Sequence, residues 1–183
     1  MSEIINVYKQ DMGATKFIGI KYNNANRING KFEVKPKWNE WFQNGWFESI
    51  QMKINKNPND TFISDSFFIG LLRNKPGEPF QYWIGMFTPE KTEIPEGFTF
   101  INFPKSELIV CQIYGSIEHV YLNKSIDIFN QCNERLKKEG LNHVHDKNDV
   151  CYTFERYESK KSIIPDEKGN IILEICFFAN FYY

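Results

Sequence analysis

Apolar positions recur along the chain at two periods, close to two in some stretches and close to 3.6 in others, and these mark out its elements. Residues 16–22, KFIGIKY, carry Phe17, Ile18 and Ile20 and read as a strand. An Asn-rich loop follows at 23–31. Pro36 then opens a helix that places Trp38, Trp41, Phe42 and Trp46 on one face, since proline suits the first helical turn. Those tryptophans pack the helix onto a sheet, and one or two of them can also wall a pocket. Asn57 to Asp60 forms a turn. Residues 65–73 and 80–88 read as strands joined by the Pro- and Gly-containing connection 75–79. Pro95, Glu96 and Gly97 belong to a linker. Residues 107–114, ELIVCQIY, form a strand apolar enough to be buried on both faces.

A second helix starts near Asn123, which can cap it. Leu122, Ile126, Phe129, Cys132 and Leu136 form its apolar stripe. Glu134, Arg135, Lys137 and Lys138 lie on the other side, and Gly140 ends it. A polar loop covers 141–149. Strands at 151–159 and 170–180 follow, with a turn at 165–169. The order is β-α-β-β, linker, β-α-β-β. It predicts an α+β fold: tandem β-α-β-β repeats in one antiparallel sheet, two helices on one face, and a central ligand cavity between the halves. One domain is expected over 1–183, with pseudo-repeats at about 10–90 and 100–183.

Composition narrows the function. The 183 residues hold 22 Lys+Arg and 23 Asp+Glu, for a formal charge of −1, which argues against nucleic acid as a direct partner. Aromatic residues make up 16% of the chain, enough to line a cavity as well as a core. Glu3 and the lack of an apolar run near the start speak against a secretory signal, and no tract approaches a membrane span. Cys111, Cys132, Cys151 and Cys176 are widely spaced and read as reduced core residues of a cytoplasmic protein. His143, His145, Asp146 and Cys151 lie near one another in sequence but lack a properly spaced fourth ligand, so no metal and no cofactor is expected.

Two acids stand in apolar strands. Glu155 alternates with Cys151, Thr153 and Tyr157, and Glu174 alternates with Ile172, Cys176 and Phe178. A hairpin between their strands can bring both carboxylates to one face. An uncompensated buried carboxylate costs about several kcal/mol, so each is solvent-facing, paired with Arg156 or a lysine, or waiting for a cationic ligand. Tyr82, Trp83, Tyr114, Tyr152 and Tyr157 are candidate rings around such a charge. Tyr82 and Trp83 are adjacent and point to opposite sides.

The stretches YWIGMF (82–87), IPEGFTFINFPKSELIVCQIYG (94–115), the helix from about 123, YTFERYES (152–159) and IILEICFFA (171–179) resemble the GyrI-like small-molecule-binding domain. That domain also forms the effector-binding half of AraC- and MerR-type regulators. The closing strand departs from it, reading ICFFA where many members carry a proline. The resemblance implies a tandem β-α-β-β fold with a central cavity. It matches Glu155, within Phe154-Glu155-Arg156-Tyr157, to the glutamate that contacts lipophilic cations, and Glu174 to an assisting acid. With aromatic residues added from the strands, the expected ligand-binding set is Glu155, Glu174, Tyr82, Trp83, Tyr114, Tyr157 and Phe178. No DNA-binding helix-turn-helix domain is expected, so the chain reads as a stand-alone small-molecule-binding protein with no membrane partner. Two alternatives remain open. One is a hydrolase of electrophilic, for example cyclopropane-bearing, compounds with Glu155 as its acid. The other is an inhibitory partner of a macromolecule such as gyrase.

Overall fold

Among the described residues, eight strands pair, every neighbour antiparallel, into one sheet of order β1-β8-β10-β9-β5-β6-β2-β7. They are β1 (Glu3–Met12), β2 (Thr15–Asn23), β5 (Phe67–Asn74), β6 (Gln81–Pro89), β7 (Thr99–Phe103), β8 (Ser106–Ser116), β9 (Cys151–Glu158) and β10 (Asn170–Phe181). A two-residue ladder, β3 (Arg27–Ile28) with β4 (Lys31–Phe32), stands apart. The helices are α1 (Lys35–Gln43), α2 (Trp46–Gln51) and α3 (Ser125–Lys138). This computed structural model describes residues 2–23, 27, 28, 31, 32, 34–54, 67–116, 118, 120, 125–158 and 165–183. The expected turn at Asn57–Asp60, the capping position Asn123 and the stripe residue Leu122 lie outside what is described, as does the side chain of Ile126. No helix among the described residues is long and apolar enough to cross a membrane.

The α+β class and the repeated β-α-β-β order are present. Strands β8-β10-β9 mirror β2-β6-β5, so the two units meet at the central pair β5–β9. Each unit also has a leading strand that the loops and linker of the sequence reading concealed. β1 leads into β2 but pairs with β8, and β7 leads into β8 but pairs with β2. Both are edge strands with few buried positions, so their alternation is weak.

Both faces of the sheet are apolar, for different reasons. On one face the helices lie. Trp38 and Trp41 of α1, Phe47 and Ile50 of α2, and Ile128, Cys132 and Leu136 of α3 join Ile84, Ile109, Ile113 and Ile175 in one cluster. The long tryptophan helix is in fact two short ones. Gly45, at φ 64°, breaks it in the left-handed region, and Trp46 starts α2. On the other face the sheet curls over its own aromatic side chains. Phe103 of β7 stacks on Phe178 of β10, ring centroids 5.2 Å apart, although four strands lie between β7 and β10. Register partners Gly19 and Gly85 permit that coiling. A Cβ on either would lie 2.3 or 2.1 Å from a carbonyl oxygen of the other strand.

Candidate functional site

The central pair β5–β9 carries the buried acid. Residues 153, 155 and 157 of β9 point to the helix face, and 152, 154 and 156 to the other. Glu155 is therefore held under the helices, with 8% of its surface exposed. Tyr157, two residues on and on the same side, donates to its Oε2 at 2.6 Å. Tyr82, from β6, donates to the same oxygen at 3.5 Å. Trp38 of α1 donates from Nε1 to the Tyr82 hydroxyl at 3.0 Å, which leaves that hydroxyl's own proton for Glu155. Trp38 also meets the Tyr157 ring edge-on, centroids 5.2 Å apart.

Helix α1 is fixed over this site at a second point. Tyr22 is the register partner of Tyr82, and it accepts a hydrogen bond from the Trp41 indole at 3.0 Å. Two indoles spaced three residues apart thus grip two neighbouring phenols on adjacent strands. The helix forms here because Pro36 opens it and this spacing turns both indoles to the sheet. Burial is the main influence on the Glu155 carboxyl and raises its pKa to about 7. The Tyr157 and Tyr82 hydroxyls favour the charged form and oppose that rise. The site is a buried carboxyl poised between charged and neutral, walled by Trp38, Tyr82 and Tyr157.

The sheet register corrects one expectation. Glu174 does not join Glu155. Its cross-strand partner is Arg156, whereas Glu155 faces Ile175, so the two acids are one residue out of step and point to opposite faces. Glu174 accepts from Arg156 Nε at 2.6 Å, Gln112 Nε2 at 3.0 Å and the Tyr8 hydroxyl at 3.1 Å. The same parity removes Trp83, Phe178 and Tyr152 to the aromatic cluster of the curled face. Tyr114 is on that face as well, donating to Asp166 and accepting from Asn170 at the sheet's end. Of the seven expected ligand-binding residues, the structure brings together Glu155, Tyr82 and Tyr157.

Two contributors went unassigned in the sequence. Trp38 was one of the tryptophans expected on the packing face, one or two of which could also wall a pocket, but no partner was assigned to it. Gly70 of β5 is the register partner of Glu155, and a Cβ there would lie 2.2 Å from the Tyr82 hydroxyl oxygen and 3.2 Å from Glu155 Oε2. A glycine inside the apolar run FFIGLLR was the available signal, since it marks a close approach. In the histidine loop, Cys151 Sγ is 3.8 Å from His143 Nδ1, and His145 pairs with Asp149 at 2.7 Å. No group of three or more ligating side chains suited to a metal occurs among the described residues.

Known proteins match this arrangement. The Cass2 family, integron-associated effector binding proteins, matches residues 11–175. A structure of SAV2435 bound to tetraphenylphosphonium superposes with a TM-score of 0.62 at 18% identity, covering 96% of this chain and 94% of that one. A protein of Staphylococcus aureus MU50, assigned to bacterial transcription regulation, gives 0.61 at 18% identity over 96% and 98%. The integron cassette protein VCH_CASS2 of Vibrio cholerae gives 0.49 at 12% identity over 98% and 99%. No curated protein matches the chain. Residues 11–175 span both β-α-β-β units and Glu155 with them, and on that match the chain belongs to the Cass2 family of effector-binding proteins, with the GyrI-like fold that its strand order displays.

Proposed function

We propose that this effector-binding protein holds a lipophilic cation against Glu155, on the helix-covered face of the central strand pair, in the cytoplasm. The observation that carries this reading is the state of Glu155. It is buried, its polar contacts among the described residues are the hydroxyls of Tyr157 and Tyr82, and no arginine or lysine among those residues acts on its charge. A cation beside it would replace lost hydration and meet the faces of Trp38, Tyr82 and Tyr157, each good contact adding about 0.5–2 kcal/mol. Selectivity would follow charge more than shape, because ring and ion attract with little directionality. Tetraphenylphosphonium, held by SAV2435, is a suitable probe.

The test is a thermal-shift titration with tetraphenylphosphonium and with neutral triphenylphosphine oxide, on wild type and Glu155→Gln. Saturation at a hundred times Kd should add about 2.7 kcal/mol, or several degrees. The cation should shift the wild type and fail to shift the variant. Equal shifts in both proteins would refute the role of Glu155. A second reading draws on the same raised pKa: a carboxyl near 7 can act as general acid or base at neutral pH, and product analysis of the ligands that bind tests for turnover.

A further inference from the structure

Gly70 meets the site from the strand beside Glu155. Its Cα faces Glu155 across the central strand pair, and the space where a side chain would stand is filled by the Tyr82 hydroxyl. A Cβ there would sit 2.2 Å from that oxygen, 3.0 Å from Tyr82 Cζ and 3.2 Å from Glu155 Oε2. Tyr82 cannot evade it by tilting freely, because Trp38 holds its hydroxyl at 3.0 Å from above. The absence of a side chain at position 70 is thus a condition for Tyr82 to donate to the carboxylate.

We propose that Gly70 is a specificity-determining positioning residue: by leaving room for the Tyr82 hydroxyl against Glu155, it keeps the carboxylate ionised enough to select cations. A side chain at 70 pushes the hydroxyl away, leaves Tyr157 as the donor, and shifts the site toward a neutral carboxylic acid. That acid donates a hydrogen bond and selects uncharged acceptors instead. The inference rests on the reading of Glu155 as the ligand's counter-charge.

The test follows the Glu155 carboxyl directly. Protein labelled with carboxyl-13C glutamate is titrated by NMR, and the Glu155 signal is the one that Glu155→Gln removes. In wild type the midpoint should lie at about 7. Gly70→Ala should raise it by about half to one pH unit, since a donor to the charged form is lost. Tyr82→Phe should raise it similarly, and Gly70→Ala should add nothing further in the Tyr82→Phe background. Tetraphenylphosphonium affinity at pH 7 should fall in parallel with the ionised fraction, about two- to fivefold, while triphenylphosphine oxide loses nothing. A midpoint unmoved by Gly70→Ala, or a shift that persists in the Tyr82→Phe background, overturns the proposal. If Gly70→Ala fails to fold but the double variant folds, the hydroxyl is the group accommodated and the proposal stands. If neither folds, it falls. Should the midpoints move as stated while no protein binds tetraphenylphosphonium, the cation reading fails and the control of the carboxyl by Gly70 survives.

Discussion

Replacing Glu155 with glutamine should make the ligand-free protein more stable, and the gain should depend on pH. Burial lifts this carboxyl from an ordinary 4.5 to about 7 in the folded chain. Between those two values the unfolded chain releases the proton and the folded chain retains it. The sign follows: the folded pKa is the raised one, so the stability contributed by protonated Glu155 is fully present below about 4.5 and is lost as pH rises through about 7. The loss is about 1.4 kcal/mol per pH unit, or about 3 kcal/mol across the window. Glutamine remains neutral throughout, and its amide oxygen can still accept from Tyr157. The variant should therefore match the wild type near pH 4.5 and exceed it by up to about 3 kcal/mol at pH 8, roughly 6–12 °C in Tm for a chain of this size. Urea unfolding of both proteins from pH 4.5 to 8.5 measures the difference. Parallel stability profiles, or a variant weaker at pH 8, would refute the claim that an unpaired carboxylate is held in the site at a cost.

Other outcomes follow from the same geometry. Cation affinity should fall about tenfold from pH 8 to pH 6, because only the ionised fraction of Glu155 competes for the ligand; calorimetric titration with tetraphenylphosphonium reads this, and a flat profile would remove the ion from the mechanism. Glu174→Gln should cost about 2–3 kcal/mol, since it removes the counter-charge of the Arg156 guanidinium, whose side chain is 4% exposed and which keeps Gln10 and Tyr8 as neutral acceptors, yet leave cation affinity within about twofold. Chemical denaturation and ligand titration separate those effects, and an unchanged stability would deny the ion pair its role. Trp38→Phe should destabilise by about 1 kcal/mol and weaken binding, having removed the indole donor to Tyr82 while keeping a ring, and the shift should be visible in the same two assays. Gly85→Ala should cost about 3 kcal/mol in urea unfolding, because its Cβ meets a backbone oxygen of β2 at 2.1 Å and backbone cannot yield as a side chain can.

Much of this protein was legible along the chain. Strand and helix periods located β2, β5, β6, β8, β9, β10 and the helices to within a few residues, because burying one face of an element imposes its period on the sequence locally. The isolation of Glu155 among apolar neighbours marked it as an acid needing a partner, and the alternation with Tyr157 already set those two on one side. Edge strands β1 and β7 escaped, since a half-exposed strand has no strong alternation to display. Gly45 hid the break between α1 and α2, because helical spacing of tryptophans carries across a one-residue interruption without changing the pattern.

Parity between strands was beyond the sequence. Within one strand, period two decides which residues share a face. Across two strands the shared face depends on register, which hydrogen bonding and packing settle only when the sheet assembles. That single offset, Glu155 opposite Ile175 and not Glu174, sends one acid under the helices and the other to Arg156. The sequence alone therefore specified the elements, their order and two acids in apolar strands, each facing solvent or in need of a partner. The tertiary structure decided which tyrosines reach Glu155, that Trp38 orients one of them, and that Gly70 leaves the room for it to do so, because those groups come from α1, β5, β6 and β9 and meet only across the folded sheet.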